Sequence, residues 1–247
     1  MVETPKPITG PLFHLPESMA RAFAMNGKAR ISVLWMSDDD VGHELIWSDG
    51  LYAEMKAMVR RAISEGCHAQ YPVDAYLPAA FAAYPIAGRR VTLFGSARPG
   101  YEAYVSEFGA IPHTVEYRSI RHTIPGLVTQ TLDEYIANPS PLDRVLSISS
   151  IEHSGLGRYG DVIDPDADLA AMRLIRKNMA PDGLLYLSVP IGNDQVVWNA
   201  HRIYGPARLP LLLEGWETVT TYGLTPDLFH LGDQHGREAL FVLRLPT

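Results

Sequence analysis

The chain has 247 residues, 47% hydrophobic and 20% charged, so it can bury a full core and is not a disordered polymer. A formal net charge of -7 argues against a nucleic-acid binder, and the single cysteine, Cys67, excludes an internal disulfide or a multi-cysteine zinc site. The longest uncharged run, Ala75 to Gly88, is broken by Pro78 and Pro85 and is too short to cross a bilayer, and the first residues, with Glu3 and Lys6 among prolines, lack the apolar stretch of a signal peptide. The expectation is a soluble cytoplasmic protein without a membrane partner.

Up to residue 88 the pattern reads as helical and punctuated. Glu17 to Met25 predicts a short helix stopped by Asn26-Gly27. Ile31 to Trp35 is β-like and leads into the acidic run Asp38-Asp39-Asp40. From Tyr52 to Glu65, apolar residues recur at Met55, Met58, Val59, Ala62 and Ile63, one stripe of an amphipathic helix. Ser48 or Asp49 can cap it and Gly66 can end it. Residues 1–88 are expected to form a helical lid on the acceptor side of a second unit, 89–247.

Beyond residue 88 strands alternate with helices. Arg89 to Gly95 is a buried strand, Tyr101 to Phe108 a helix and His113 to Tyr117 a second strand. A short connection leads to a third strand at Leu127 to Leu132 and a helical stretch at Asp133 to Ala137; Asp143 to Ser149 is the fourth strand. A helix over 166–180 has acids at its start and Arg173, Arg176 and Lys177 toward its end, as the helix dipole favours. Leu184 to Val189 is a fifth strand, helices follow at Asp194 to Tyr204 and around Leu209 to Glu214, and Glu217 to Gly223 and Ala239 to Leu245 are two closing strands. The alternation implies an α/β fold with right-handed crossovers, a mostly parallel sheet and a ligand at the carboxyl ends of its strands.

Those ends carry the chemistry. Strand one runs into Gly95-Ser96-Ala97-Arg98-Pro99-Gly100, where glycine permits a sharp turn and close approach of a ligand, or simply a strand-to-helix turn. The loop lacks the glycine pattern of a dinucleotide fold and the lysine of a P-loop. At the end of strand two, Glu116 beside Tyr117 can accept hydrogen bonds from both hydroxyls of a ribose. Asp133 ends strand three, where it meets an adenine amino group or caps the next helix. After strand four comes Ser149-Ser150-Ile151-Glu152-His153, followed by three glycines, Tyr159 and Asp161, a poor core and a plausible site. His153 is a proton-transfer candidate there; Glu152, His153, Asp161 and Asp164 are loosely spaced for a metal, and none is assigned. His201, Arg202 and Tyr204 are candidates to line an acceptor pocket.

The order of these motifs resembles the class I S-adenosylmethionine-dependent methyltransferases. The resemblance rests on the glycine turn, the acid after strand two, Ser-x-x-Glu-His after strand four, Leu174 to Val189 (LIRKNMAPDGLLYLSV) and Leu213-Glu214-Gly215-Trp216-Glu217. More narrowly, SSIEHSGLGRYGD and NAHRIYGPARLP are similar to a family of unknown function first catalogued in nematodes and also bacterial. The resemblance implies a Rossmann-like, mostly parallel seven-stranded sheet with a reversed final hairpin and S-adenosylmethionine as cofactor. Gly95 and Ser96 would lie near its methionine part, Glu116 and Tyr117 at the ribose, Asp133 near the adenine, and Ser149, Ser150 and Glu152 along the same edge. The implied activity is transfer of a methyl group to a small molecule, with His153, His201 and Tyr204 as catalytic residues. Trp35, Trp47 and Tyr52 are candidates to face the sulfonium. Intramolecular cyclisation releasing methylthioadenosine, and a catalytically silent binding module, are the alternatives; the oligomeric state is open, a homodimer included.

Overall fold

The computed structural model describes residues 7–36 and 42–246. Glu3, Lys6 and the acidic run Asp38-Asp39-Asp40 lie outside the described residues.

Helix α1 (Glu17–Phe23) ends in a tight turn where Asn26 takes a left-handed φ of 56°, followed by strands β1 (Arg30–Leu34) and β2 (Leu45–Trp47). Helix α2 (Asp49–Glu65) is capped by the Ser48 hydroxyl, which accepts the Leu51 N–H at 3.1 Å, and is closed by left-handed Gly66. Helix α3 (Leu77–Ala83) precedes the alternating region, which begins with β3 (Arg90–Phe94), α4 (Gly100–Glu107) and β4 (Ile111–Glu116). It continues through β5 (Ile120–His122), β6 (Val128–Thr131), α5 (Leu132–Ala137), β7 (Leu142–Ile148), α6 (Ala167–Asn178) and β8 (Met179–Ile191). The chain closes with β9 (Gln195–Asn199), β10 (His201–Ile203), α7 (Leu209–Leu212), β11 (Glu217–Tyr222) and β12 (Arg237–Arg244).

Seven strands form one sheet in the order β11-β12-β8-β7-β3-β4-β6. The pairs among β8, β7, β3, β4 and β6 are parallel, and β12 runs antiparallel to both β8 and β11, so the expected parallel sheet with a reversed final hairpin is present. Side chains alternate across it as the two-residue strand period requires. Leu185, Leu187 and Val189 face Met172 and Ile175 of α6, whereas Tyr186 faces a layer containing Met55 and Val59 of α2 and Phe81 of α3. Successive strands proceed outward from β3 through β4 to β6 and from β7 to β8 on the other side, which places the switch in strand order between the ends of the parallel neighbours β3 and β7.

Three expectations change. The stretch 194–204 is the hairpin β9–β10, not a helix: Val196, Val197, Trp198 and Ile203 are all buried, β9 pairs in parallel with β1, and β10 pairs antiparallel to β9. A buried run of β-branched and aromatic residues suits a central strand, and its partner lies far away in sequence. Residues 1–88 hold strands as well as helices: β1, at the β-like stretch Ile31 to Trp35, belongs with β9 and β10 to a separate three-stranded sheet, and β2 pairs in parallel with β5. Helices α2 and α3 also share one apolar cluster with β3 and α4, so packing shows no break at residue 88. Among the described residues no helix is long and apolar enough to cross a membrane.

Candidate active site

The ends of β3, β4 and β7 lie side by side and bring Gly95, Glu116 and Ser149 to one edge. Gly95 has φ +79°, and a Cβ there would stand 1.8 Å from Ser150 Oγ, so the turn needs glycine both for its conformation and for the close approach of the β7 end. The next residue links two carboxylates. The Ser96 N–H donates to Glu116 Oε2 at 2.7 Å and its hydroxyl to Glu102 Oε2 at 3.0 Å, while Thr114 Oγ1 donates to Glu102 Oε1 at 2.7 Å. Burial pushes the Glu116 carboxyl up, opposed by the Ser96 amide and by Arg118, whose Nε lies 3.7 Å from Glu116 Oε1. Burial pushes Glu102 up to about 7. Sequence reasoning passed over Glu102 as part of a helix; its position in the first turn after the glycine loop was the available signal. Tyr117 is exposed at the end of β4, and its hydroxyl donates to the Gly160 carbonyl at 3.4 Å. Asp133 is exposed in the first turn of α5, and the cap belongs to Thr131, whose hydroxyl accepts the Glu134 N–H at 3.2 Å.

After β7, Ser149 adopts a left-handed φ of 49°, and its hydroxyl donates to Glu152 Oε1 at 2.9 Å. Glu152 is 1% exposed; burial and the nearby Glu238 push it up to about 8. His153 follows. Its Nδ1 lies 2.6 Å from the Ala200 carbonyl, which only accepts, so Nδ1 carries a proton, and Nε2 faces Glu152 Oε1 at 3.8 Å. His201 donates from Nε2 to the Gln234 carbonyl at 2.8 Å, and burial lowers its pKa. The two imidazoles meet edge to face with centroids 6.3 Å apart.

The fold has counterparts among solved structures. A methyltransferase from Anabaena variabilis, described as S-adenosylmethionine-dependent, superposes with a TM-score of 0.50 at 11% identity, covering 88% of this chain and 100% of that one. The chain has the class I methyltransferase fold. The mitomycin 7-O-methyltransferase MmcR matches at 15% identity and a TM-score of 0.47, over 80% of this chain, which spans 62% of MmcR. The CcbJ methyltransferase from Streptomyces caelestis matches at 16% identity and a TM-score of 0.45, over 72% of this chain and 91% of that one. Residues 117–234 match the model of a family described as Caenorhabditis protein of unknown function, DUF268. Over that stretch the chain resembles DUF268. No curated protein matches the chain.

Much of the DUF268-like region turns out to hold the fold together. Asp161 accepts N–H groups from Gly155 at 2.8 Å, Gly157 at 3.2 Å and Tyr159 at 3.2 Å, which leaves its carboxylate poorly placed for a metal. Among the described residues no three metal-ligating side chains converge. A Cβ on Gly155 would stand 2.2 Å from the Asp164 carbonyl oxygen, and one on Gly157 would stand 2.8 Å from Gly10 Cα, so these glycines let chain segments touch. In the second motif Arg202 donates to the carbonyls of Ser154, Asp164 and Pro165. Arg208 grips Asp168 through Nε at 3.1 Å and through a second guanidinium nitrogen. Tyr204, expected at an acceptor pocket, is fully buried with its hydroxyl donating to Asp168 Oδ2 at 3.0 Å. Its phenol and Arg202 are therefore tied into a buried network, whereas His153 and His201 stand together.

The three aromatic residues expected at the sulfonium have other neighbours. Trp47 is buried among Ile124 and Leu127, and its indole N–H donates to the Ala97 carbonyl at 3.3 Å, bracing the glycine loop from outside. Tyr52 shares a hydrogen bond of 2.9 Å with Ser106, and Trp35 packs against Phe13.

Proposed function

We propose that the protein is an S-adenosylmethionine-dependent transferase that methylates a small molecule in the cytoplasm, with the cofactor lying across the ends of β3, β4 and β7. The observation that carries this reading is Glu116, a nearly buried carboxylate at the end of β4, directed at the backbone N–H after the β3 glycine turn. A carboxylate held beside a glycine turn suits a ribose: it accepts from two adjacent hydroxyls and gains from the low dielectric around it. The donor set fits the rest of the nucleoside. Tyr117 offers an exposed ring face, Asp133 an exposed acceptor for an exocyclic amine, and Ser96, Ser149 and Ser150 offer small polar groups where the amino-acid part would lie.

The cofactor, when bound, supplies a sulfonium-activated methyl group. The chain has to align the nucleophile and exclude water. His201 keeps Nδ1 as an acceptor, so it can take a proton from the acceptor molecule, and His153 stands beside it at the same edge. Residues 1–88, which contribute β1 and β2 and cover one face of the sheet, supply the acceptor side.

Titration calorimetry with S-adenosylmethionine and with its demethylated product tests the binding half; absence of heat with both would refute it. Mass spectrometry of the incubated cofactor tests the reaction. Turnover that waits for an acceptor supports methyl transfer, and methylthioadenosine formed without any acceptor would replace it by cyclisation.

A further inference from the structure

The Ser96 hydroxyl has more acceptors than protons. Its Oγ lies 2.9 Å from the Arg98 carbonyl oxygen and 3.0 Å from Glu102 Oε2. A carbonyl only accepts and a hydroxyl carries one proton, so with Glu102 ionised the hydroxyl serves one of the two and leaves the other. Both contacts are hydrogen bonds at once when Glu102 Oε2 carries a proton and donates it to Ser96 Oγ, which then donates to Arg98. The second Glu102 oxygen accepts from Thr114 Oγ1 at 2.7 Å. A neutral carboxyl, with one oxygen accepting and the other donating, matches this set of partners.

The surroundings favour the same state. Glu102 is fully buried in the first turn of α4, and burial pushes it up to about 7. The charge that faces it is Glu116 at the end of β4, which accepts the Ser96 N–H at 2.7 Å and has Arg118 Nε 3.7 Å from its other oxygen. From α2 the Tyr52 phenol faces it, neutral because burial holds its pKa above the usual phenol value. Two buried acids bridged by one serine are most stable with a single charge, and Arg118 and the Ser96 amide put that charge on Glu116. We propose that Glu102 is a positioning residue: as a neutral acid it donates to Ser96 Oγ, closes the glycine loop through the Arg98 carbonyl and leaves the negative charge to Glu116 for the ribose. This rests on the transferase reading above. Ionisation of Glu102 turns the Ser96 proton away from Arg98 and sets a second negative charge beside Glu116, so cofactor affinity falls as pH rises through about 7.

The experiment has two parts. Carboxyl-carbon and amide NMR of the ligand-free wild-type chain follow Glu102 and the Ser96 N–H between about pH 5.5 and about pH 8.5. S-adenosylhomocysteine is titrated calorimetrically into wild type and Glu102→Gln over the same range, with melting curves showing where both are folded. A carboxamide copies the neutral acid, its oxygen accepting from Thr114 and its NH2 donating to Ser96, and it does not titrate. The expected result is a Glu102 carboxyl that is neutral at the acid end and releases its proton near pH 7, with the Ser96 amide moving in step. Wild-type affinity should fall at least about fivefold across the range, and Glu102→Gln affinity should change less than about twofold. A Glu102 already ionised at about pH 5.5, a Ser96 amide that ignores the titration, or an equal decline in Glu102→Gln would overturn the proposal. Should Glu102→Gln not fold, the wild type decides, since its affinity must fall with the midpoint of the Glu102 carboxyl. If S-adenosylhomocysteine binds neither protein, the transferase reading falls, and the Glu102 proton and its hold on Ser96 are still decided by the ligand-free spectra.

Discussion

Replacing Asp168 by asparagine keeps the shape of the side chain and removes its charge. In the wild-type chain this fully buried carboxylate accepts from Arg208 Nε at 3.1 Å, from a second Arg208 nitrogen and from Tyr204 at 3.0 Å, with Arg202 Nε at 3.8 Å. These partners outweigh burial and hold its carboxyl below the usual aspartate range. In Asp168→Asn, Arg208 and Arg202, themselves 7% and 2% exposed, lose their shared anion. Breaking a buried pair from one side costs about 3–5 kcal/mol, a large share of the roughly 5–15 kcal/mol that holds a domain folded. Urea unfolding followed by circular dichroism should show the unfolding free energy falling by that amount, as a lower midpoint with an unchanged slope. The exposed pair Arg61–Glu65 is the control, and Arg61→Ala should leave the midpoint nearly unmoved. A loss below about 1 kcal/mol in Asp168→Asn would refute the view that the NAHRIYGPARLP segment is a structural clasp.

Other consequences follow from the same geometry. Gly155→Ala, which combines φ +74° with a Cβ 2.2 Å from a carbonyl oxygen, should cost well over about 1 kcal/mol in thermal denaturation. Gly27→Ala, at φ +93° with nothing within 4 Å, should cost clearly less; equal losses would show that the contacts do not matter. Stability should also fall on the alkaline side. Glu102 and Glu152 are raised from 4.5 to about 7 and about 8, so the folded state holds their protons more tightly than the unfolded chain does. Their contribution is full below about pH 4.5 and is lost as pH rises through about 7 and 8. Urea midpoints between about pH 6 and pH 9 should decline, and Glu152→Gln should flatten the decline; a wild-type midpoint unchanged over that range would contradict the buried carboxyls.

The sheet was legible because β3, β7 and β8 each carry a mostly apolar stretch, 91–94, 145–148 and 184–189, bounded by charged or turn residues, and the α6 stripe and its charges announce a helix of about that extent. Gly95 and Glu116 were legible from position alone, since a parallel sheet concentrates ligand contacts at the carboxyl ends of its strands. The 194–204 stretch was not. An apolar run between a Gly-Asn-Asp turn and a glycine suits a helix or a buried strand, and the choice is made by β1, more than 160 residues away, where Asn199 Oδ1 accepts the Met36 N–H at 2.9 Å. Glu102 was hidden for a different reason. Buried acids are rare, and nothing local says that Ser96 and Thr114 will converge on this one. The three glycines after His153 look like a ligand loop in sequence, but Gly155 and Gly157 answer to backbone contacts with Asp164 and Gly10 that only the folded chain brings together.

The central claim is that Glu116 grips the sugar of an adenosyl cofactor, and calorimetric titration of S-adenosylhomocysteine into wild-type protein and Glu116→Ala tests it most directly. Losing two hydrogen bonds to a charged acceptor should weaken binding by about a hundredfold or more, measured at a temperature where melting curves show the variant still folded. Equal affinity in the two proteins, or no binding by the wild type, would contradict it.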